Sequence, residues 1–509
     1  MKGDGTLIQQ AFLRKNSYQD SVKLMQLTEK MTQLPGVTRA FAVMGTENNK
    51  ATLTRAGFKP ALLEGAGPND ILFAVETGTK EEGLRVWEEY QRALEQETKK
   101  DEGKAQVSAA SLKSASSLLS GANLSIISVP GQYAAYEAYK ALREGLHVHI
   151  FSDNVSLEDE IKLKKLGRQK GLLVMGPDCG TSILSGVPIC FANSVRRGSI
   201  GIVGASGTGI QEVSVLIDRL GAGVSQAIGV GGRDLQDGVG GITSIMALKL
   251  LDWDPQTEVI VFLSKLPGKE TLGEIRKHLA QLSKPVVVFF LGYNPNEQKG
   301  VGQRAKTLEE AAHLAVSLSK KESGPLAFQR DFAALFPRET LDAVRPGQYL
   351  RGLYSGGTLA GEAYYLAKKH LQKIEYNPLA PSGHAIFDLG DDQFTQGRPH
   401  PMLDPQLRSE RLLQEWADPQ VAVILLDVVL GFGSSPEASS SLAAAIEQAR
   451  SKYGGEKIVL ASLCGTDRDP QPRQKEQELL EKAGVFVLPS NAAAADAALY
   501  LCQTERSNL

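Results

Sequence analysis

Cysteine is scarce in this chain, with four thiols among 509 residues: Cys179, Cys190, Cys464 and Cys502. No two of them have Cys-x-x-Cys spacing, so the sequence predicts neither a disulfide framework nor a cysteine-based metal site. Long apolar runs are also missing. Even VAVILLDVVLGFG, residues 421–433, is shorter than the about 18 apolar residues that cross a bilayer.

A strong charge of either sign is absent as well. The net charge of −2 gives no electrostatic reason to expect a nucleic-acid partner. The N-terminal stretch MKGDGTLIQQAF lacks the apolar core of a signal peptide. We therefore expect a cytoplasmic protein, with no membrane or nucleic-acid partner and no metal ion.

Most of the chain alternates short β-branched runs with longer helical patterns, which is typical of parallel α/β sheets. The first hundred residues instead suggest a small α+β domain. The predicted fold class is α/β, with tandem doubly wound (Rossmann- or flavodoxin-like) parallel-sheet domains after that small domain. The predicted segments are a small α+β domain with linker (1–121), a CoA-binding-like α/β domain (122–195), a first ligase-like domain (196–320), a connector (321–346) and a second ligase-like domain (347–509).

One glycine-rich loop interrupts this pattern, in SIGIVGASGTGIQEV, residues 199–213. A strand ends there and a helix begins, and glycines allow a ligand to approach the unpaired N–H groups of the first helical turn. The loop therefore predicts a phosphate or carboxylate site at Ser206, Gly207, Thr208 and Gly209. A serine N-cap on a tight turn is the alternative. Neither a Walker A loop nor a dinucleotide fingerprint matches the spacing.

The same loop recurs in GLYSGGTLAGEAY, residues 352–364. Gly207-Thr208 aligns with Gly357-Thr358, and Glu212 aligns with Glu362. Downstream, WDPQTEVIVFLSKLPG parallels WADPQVAVILLDVVLG. The repeat predicts two homologous domains. The second predicted anion site comprises Ser355, Gly356, Gly357 and Thr358.

These motifs resemble a known group of enzymes. Residues 122–320, with GPDCGTSI, GIVGASGTGIQE, GVGGRD and DPQTEVIVF, resemble the α subunit of succinyl-CoA synthetase and other NDP-forming acyl-CoA ligases. The second copy, with YSGGTLAGEA, DLGDD and GRPHPMLDP, is similar to the narrower FdrA-type proteins. In the ligases two such loop-helices, one from each subunit, face each other across the phosphorylation site.

The chain departs from the ligases at two places. Their phosphorylated histidine follows the strand equivalent to KPVVVFFLG, but YNPNEQKGVGQRAKTLEE follows here and contains no histidine. Lys265 stands where the ligases carry a glutamate that contacts the phosphohistidine. Residues 1–120 also show no nucleotide-grasp motifs. We therefore do not expect ATP-driven ligation by this chain alone.

The FdrA-type resemblance implies a component of an oxamate carbamoyltransferase in anaerobic allantoin breakdown. In that reaction oxalurate and phosphate, the co-substrate, give oxamate and carbamoyl phosphate. Additional protein subunits and a homo-oligomer are expected partners. Thr208, Thr358 and His400 are the predicted catalytic residues, with His400 held between two prolines as a general acid. A backbone-binding or helix-capping role is the alternative for His400.

Further residues were assigned from the loops and from the ligase resemblance. Arg398, Asp404 and Asp427 are predicted to bind or orient substrate anions, although surface or capping roles fit them too. The CoA-like pocket is predicted to contain Pro130, Gly131, Asp153, Asn154, Pro177 and Cys179. The first half of a CoA-binding domain is not recognisable, so the sequence leaves CoA binding open and implies no firm cofactor.

Two other functions compete with the carbamoyltransferase. One is an NDP-forming acyl-CoA synthetase or CoA transferase that obtains its missing parts from a partner. The other is a non-catalytic scaffold that binds CoA or a metabolite. Binding of CoA separates both from the first function, which requires only small anions.

Overall fold

The computed structural model describes residues 7–17, 19, 21–102, 109, 111–292, 302–322, 330–344, 347–395 and 399–502. The chain divides into two compact units. One contains residues 1–110 with 396–399, and the other contains residues 111–395 with 400–509.

The first unit contains an antiparallel sheet with helices, as the α+β pattern predicts. Its strands lie in the order β1-β3-β2, with β3 buried along its whole length. Its elements are β1 (Ile8–Arg14), α1 (Ser21–Thr32), β2 (Val37–Met44), α2 (Glu47–Arg55), a 3-10 helix (Pro60–Leu62), β3 (Ile71–Thr77) and α3 (Lys80–Glu102).

The second unit begins with a small parallel sheet in the order β4-β5-β6. Its elements are α4 (Leu112–Leu118), β4 (Leu124–Ile127), α5 (Gly131–Arg143), β5 (His147–Ile150), α6 (Leu157–Lys170) and β6 (Val174–Met175). The Ser156 side chain caps α6 by accepting from the N–H of Asp159, as the sequence pattern predicts.

A larger sheet follows, in the order β13-β12-β11-β9-β10-β7-β8. The strands from β13 to β10 run parallel, and the β7–β8 hairpin joins β10 antiparallel. Its elements are β7 (Thr181–Leu184), β8 (Val187–Cys190), β9 (Arg197–Gly204), α7 (Gly207–Arg219), β10 (Val224–Gly229), α8 (Ile242–Trp253), β11 (Val259–Lys265), α9 (Lys269–Leu279), β12 (Val286–Leu291), β13 (Gln303–Arg304) and α10 (Leu308–Ser319).

The last sheet is parallel throughout, in the order β15-β16-β14-β17-β18-β19. Its elements, with two short helices before it, are α11 (Phe332–Leu335), α12 (Arg338–Ala343), β14 (Tyr349–Tyr354), α13 (Gly357–Ala367), β15 (Ile374–Tyr376), β16 (His384–Asp388), α14 (Asp392–Thr395), α15 (Gln406–Ala417), β17 (Val421–Val429), α16 (Ala438–Tyr453), β18 (Ile458–Cys464), α17 (Arg473–Lys482), β19 (Val485–Leu488) and α18 (Asn491–Cys502).

The two large sheets share one design, which confirms the predicted fold class. In each, a central strand leads into a loop-helix, and the following strands lie on opposite sides of that central strand: β10 and β11 beside β9, and β16 and β17 beside β14. The two glycine-rich loops therefore occupy topological switch points, where open α/β sheets bind ligands.

The loop-helices α7 and α13 pack into one continuous apolar core between the two sheets. Ile210 and Val213 of α7 belong to the same buried cluster as Leu359 and Ala363 of α13. A helix whose apolar face is packed in such a core cannot shift without disturbing close-packed neighbours, so this core fixes both loops. Among the described residues, no helix combines the length and apolarity needed to cross a membrane.

Candidate functional site

The first loop is shaped by the cap of α7. Ser206 has extended backbone angles, and its hydroxyl accepts from the N–H of Gly209 at 3.0 Å. This is the N-cap geometry predicted as the alternative to an anion site. The N–H groups of Gly207 and Thr208 also have no acceptor within their own helix. The cap and an anion site are therefore compatible here.

The second loop already contacts a carboxylate of the protein itself. Asp427, at the end of β17, accepts from the N–H of Ser355 at 2.8 Å and from the N–H of Gly356 at 2.7 Å. The Ser355 hydroxyl donates to the same carboxylate at 3.0 Å, and Arg408 pairs with it at 3.4 Å. Asp427 is fully buried. Asp427 therefore orders the second loop. The N–H groups that follow Gly356, in the first turn of α13, remain available to a ligand.

The two loops meet directly. The hydroxyl oxygens of Ser206 and Thr358 lie 2.5 Å apart, although 152 positions separate them in the sequence. A Cβ placed on Gly356 would lie 2.9 Å from the Thr208 methyl carbon, so this glycine is required by the close approach of the loops. The N-termini of α7 and α13 thus converge, and their dipoles both favour an anion between them.

Asp388 lies at this convergence and was not predicted. It ends β16, and a Cβ on Gly357 would lie 2.5 Å from its carboxylate oxygen. Burial raises the pKa of Asp388 to about 6, while the Lys265 ammonium opposes the shift. An acid with this pKa changes charge near neutral pH. Its position at the end of a buried strand, HAIFD, was the signal available in the sequence.

His400 lies beside the second loop, and its catalytic role stays a prediction. A Cβ on Gly390 would lie 2.5 Å from His400 Nε2 and 2.9 Å from the Ser355 carbonyl oxygen. Burial lowers the pKa of His400 to about 4, and Nδ1 accepts from the N–H of Met402 at 3.2 Å. The neutral ring therefore carries its proton on Nε2. At neutral pH His400 is therefore a hydrogen-bond donor. Its neutral imidazole is only a weak acid, so it suits the predicted proton transfer poorly.

Two other predicted anion-binding residues can be described only in part. The carboxylate of Asp404 accepts from the N–H of Gln406 at 2.9 Å, just ahead of α15. This is the capping role given as its alternative. Arg398 lies outside the described residues.

Four of the predicted CoA-like residues, Pro130, Gly131, Asp153 and Asn154, lie around the start of α5. Pro130 precedes the helix, and a Cβ on Gly131 would lie 2.2 Å from the Asp153 carbonyl oxygen and 2.6 Å from that of Asn154. Pro177 follows a cis peptide bond after β6. Asp153 and Asn154 are exposed and remain accessible to a ligand.

Cys179 belongs to a buried cluster in the same region. Its sulfur lies 3.3 Å from Nε2 of His149, which also lies 3.1 Å from the Ser182 hydroxyl. Burial raises the pKa of the Cys179 thiol to about 12, and burial lowers that of His149 to about 4. The pair therefore stays as thiol and neutral imidazole, which suits packing better than nucleophilic attack.

The segment that carries the phosphorylated histidine in the ligases falls mainly on residues 293–301, outside the described residues. The sequence there, YNPNEQKGV, has no histidine. Lys265, the residue in place of the ligase glutamate, ends β11 and is exposed.

Comparison with known families assigns three parts of the chain. Residues 7–110 match a family described as "AllF, heavy metal-associated domain". Residues 195–292 match the "CoA binding domain" family, and residues 353–501 match the "CoA-ligase" family. The two loop-helices therefore come from a CoA-binding and a CoA-ligase domain.

The residues present in the first of these domains do not fit a heavy-metal ion. Residues 7–110 contain neither cysteine nor histidine, the ligands that such ions prefer. Where β1 ends, the Lys15 ammonium pairs with the Asp70 carboxylate at 2.9 Å, and the N–H of Asn16 donates to the same carboxylate. No group of three or more His, Cys, Asp or Glu side chains in the described part of the chain is arranged to hold a metal ion.

Three curated relatives illustrate the range of similarity. The Escherichia coli (strain K12) "Uncharacterized protein YahF" is 40% identical over 499 residues, which cover 94% of this chain and 96% of that protein. The α subunit 1 of an Archaeoglobus fulgidus ADP-forming succinate–CoA ligase is 27% identical over 44% of this chain and 74% of its own. The α subunit of Methylorubrum extorquens malate–CoA ligase is 27% identical over 36% and 63%.

These matches correct one prediction. The chain was expected to be a carbamoyltransferase, and that is wrong, because the domains and relatives found are those of CoA ligases. Breakdown of allantoin stays a prediction. The chain belongs to the family of YahF, and its ligase-like part is related to the α subunits of succinate–CoA ligases.

Proposed function

We propose that this protein transfers an acyl group between an acyl phosphate and CoA at the meeting point of the two loop-helices. The observation that carries the proposal is the 2.5 Å contact between Ser206 of the CoA-binding-type lobe and Thr358 of the CoA-ligase-type lobe. It brings two helix N-termini to one point, and a phosphate there would be stabilised by both dipoles.

The reaction needs no phosphohistidine. The CoA sulfur attacks the acyl carbon, a C–S bond forms, the C–O bond to phosphate breaks, and inorganic phosphate leaves with the bonding electrons. The thiol proton passes to solvent or to the departing phosphate. Negative charge develops on the carbonyl oxygen and on the leaving phosphate, so fixed N–H donors lower the barrier without solvent reorganisation.

Each group at the site would have one role in this scheme. The N–H groups of Gly207 and Thr208 and the hydroxyl groups of Thr208 and Thr358 would hold the phosphate, with the N–H of Gly357 contributing from the opposite helix. The Nε2–H of His400 would donate to an oxygen of the acyl group, and neutral imidazole suits that role. Lys265 would balance the phosphate charge in place of the ligase glutamate.

We assign the nucleotide-dependent step to a partner protein. The lack of a histidine in YNPNEQKGV supports a division in which another protein makes or uses the acyl phosphate. Inorganic phosphate and CoA are then the small-molecule partners of this chain. The relatives named for succinate and malate suggest that the acyl group is a small carboxylic acid.

The test is to mix the purified full-length chain with CoA and a panel of acyl phosphates, including acetyl and succinyl phosphate. Thioester formation is followed by its absorbance, and ATP is omitted. We expect thioester from at least one acyl phosphate, with a loss of 10²-fold or more, roughly the effect of removing a fixed oxyanion donor, in a Thr208→Val, Thr358→Val double variant. Thr32→Val, on the exposed side of α1, is the matched control.

A non-catalytic scaffold is the second candidate function. It is favoured by one observation, the Asp427 carboxylate that already accepts from two N–H groups of the second loop. Saturable binding of CoA and inorganic phosphate without any thioester across the panel would favour the scaffold. No binding of either ligand would reject both functions.

A further inference from the structure

A buried polar cluster lies behind the two loops, on the side of α7 and α13 that faces α18. Its members are Glu212 of α7, Glu362 of α13 and Asn491 at the start of α18, and each is at most 2% exposed. The two glutamates occupy equivalent positions in the repeated domains. Each lies four or five residues beyond the Gly-Thr pair of its own loop.

Asn491 connects the two repeats through three hydrogen bonds. Its backbone N–H donates to Glu212 at 3.0 Å, and its side-chain Nδ2 donates to Glu362 at 2.8 Å and to the Leu359 carbonyl oxygen at 3.0 Å. The second oxygen of Glu362 accepts from the N–H of Leu308, where α10 begins, at 2.7 Å. One cluster thus joins α7, α10, α13 and α18.

The orientation of the Asn491 amide is fixed, and it leaves one atom unsatisfied. Leu359 contributes a carbonyl, which can only accept, so Nδ2 must face it and Oδ1 must face the other way. Oδ1 is buried and has no hydrogen-bond partner. A buried acceptor without a donor costs roughly 1–3 kcal/mol, so this orientation is held by the two hydrogen bonds that Nδ2 donates.

Nor does either glutamate form a salt bridge. Elsewhere in this unit buried acids pair with cations, as Glu309 does with Arg330. Within the described residues, no cation forms such a pair with Glu212 or Glu362. Two ionised carboxylates in one buried cluster, with no cation in salt-bridge contact, would be strongly unfavourable.

We propose that Asn491, Glu212 and Glu362 are positioning residues that hold the two loop-helices together, and that the cluster keeps one proton on Glu362. The proposal rests on the proposed function in one respect: the positions of α7 and α13 matter for function because they set the anion site. Its test needs no ligand. A failure of the proposed function would therefore appear separately, as a wild-type protein that binds no phosphate.

The electrostatics of the cluster agree with this arrangement. Burial is the main cause that raises the pKa of Glu362 to about 8; the hydrogen bonds from Leu308 and Asn491 oppose the rise, and the charges of Glu212 and Glu309 add to it. Burial likewise raises the pKa of Glu212, which Arg219 and Cys464 oppose. The titratable or charged groups that face the pair are Glu309 of α10, Tyr354 of β14, Cys464 of β18, Arg219 of α7 and Arg473 of α17.

The first experiment detects the proton itself. Infrared difference spectra of the full-length chain at pH 7 compare wild type with Glu362→Gln, using the carbonyl band that a protonated carboxyl has and a carboxylate lacks. We expect this band in wild type and its loss in Glu362→Gln. Glu309→Gln, a matched change at a buried acid that pairs with Arg330, should keep the band. Retention of the band in Glu362→Gln would overturn the proposal.

The second experiment tests positioning. Asn491→Leu keeps the side-chain volume but removes the Nδ2 hydrogen bonds, and amide hydrogen exchange is followed in both loops, residues 206–209 and 355–358. We expect faster exchange in both loops, by tenfold or more. Unchanged exchange would overturn the positioning role.

A pH profile separates the proton from a merely structural effect. Glu362 has a folded-state pKa above its unfolded value, so the opening equilibrium of α13 should rise tenfold per pH unit from about pH 4.5 to about pH 8 relative to Glu362→Gln. A constant ratio between the two proteins over that range would contradict the proposal.

Discussion

Replacing Asp427 with asparagine should destabilise the second loop, and the cost can be worked out from the contacts. The aspartate accepts from Ser355 through one carboxylate oxygen and from the N–H of Gly356 through the other, at 2.7 Å. Asparagine keeps one oxygen, but its NH₂ group would face the Gly356 N–H, donor against donor. The buried Arg408 would also lose its counter-charge.

Loss of one partner from a buried ion pair costs about 3–5 kcal/mol, and that range bounds the expected effect. Because a chain of this size does not unfold in one step, the local measurement is hydrogen exchange at the amides of residues 355–360. We expect their opening free energy to fall by about 3 kcal/mol or more. Glu258→Gln, an exposed change of the same charge, should leave it unaltered.

A double variant, Asp427→Asn with Arg408→Met, tests the reasoning further. Removing both charges should recover part of the loss, because the arginine is no longer buried unpaired. If the single variant exchanges like wild type, Asp427 does not organise the loop.

Four further outcomes are expected. Ser206→Ala should lower the free energy of unfolding of the second unit by about 0.5–2 kcal/mol, since it removes the α7 cap, and calorimetry measures this change. Lys164→Met should cost about 3–5 kcal/mol, because the buried ammonium pairs with two carboxylates at 2.7 and 2.9 Å, whereas the exposed neighbour Lys165→Met should cost almost nothing. His400 has a folded pKa of about 4, below its unfolded value, so its contribution to stability is present above pH 6.5 and is lost as the pH falls toward 4; NMR should find the ring neutral at pH 6, and protonation there would contradict its burial. Incubation with a metal chelator should leave the melting of residues 7–110 unchanged, and a shift in that transition would contradict the lack of fit for a metal.

The fold was predictable because its signals are local and repeated. Buried β-branched runs such as VIVFLSK and VAVILLDVV identify parallel strands, and the second Gly-Thr loop revealed the duplication. The convergence of the loops was implied by the resemblance to the ligases, in which two such loop-helices face each other. The β7–β8 hairpin, which pairs antiparallel with β10 in the seven-stranded sheet, has no comparable signal in the sequence.

The chemistry of the site was less predictable because it depends on contacts between distant residues. Asp427 was predicted to bind or orient substrate anions, with a surface or capping role as the alternative. It accepts from the loop's own N–H groups, and nothing in its sequence neighbourhood indicates that partner. Asp388 became a candidate only once β16 was placed beside Gly357. The two proline neighbours of His400 suggested a rigid loop, but the depression of its pKa comes from burial, which sequence spacing does not reveal.

We infer that the two loops form one anion site. Calorimetric titration of the full-length chain with inorganic phosphate tests this directly, comparing wild type, Thr208→Val, Thr358→Val and the double variant. We expect one site per chain, weakened by either change, with the double variant losing less than the sum of the two because both act on the same ligand. Two independent sites, or phosphate binding that survives the double variant unchanged, would contradict it.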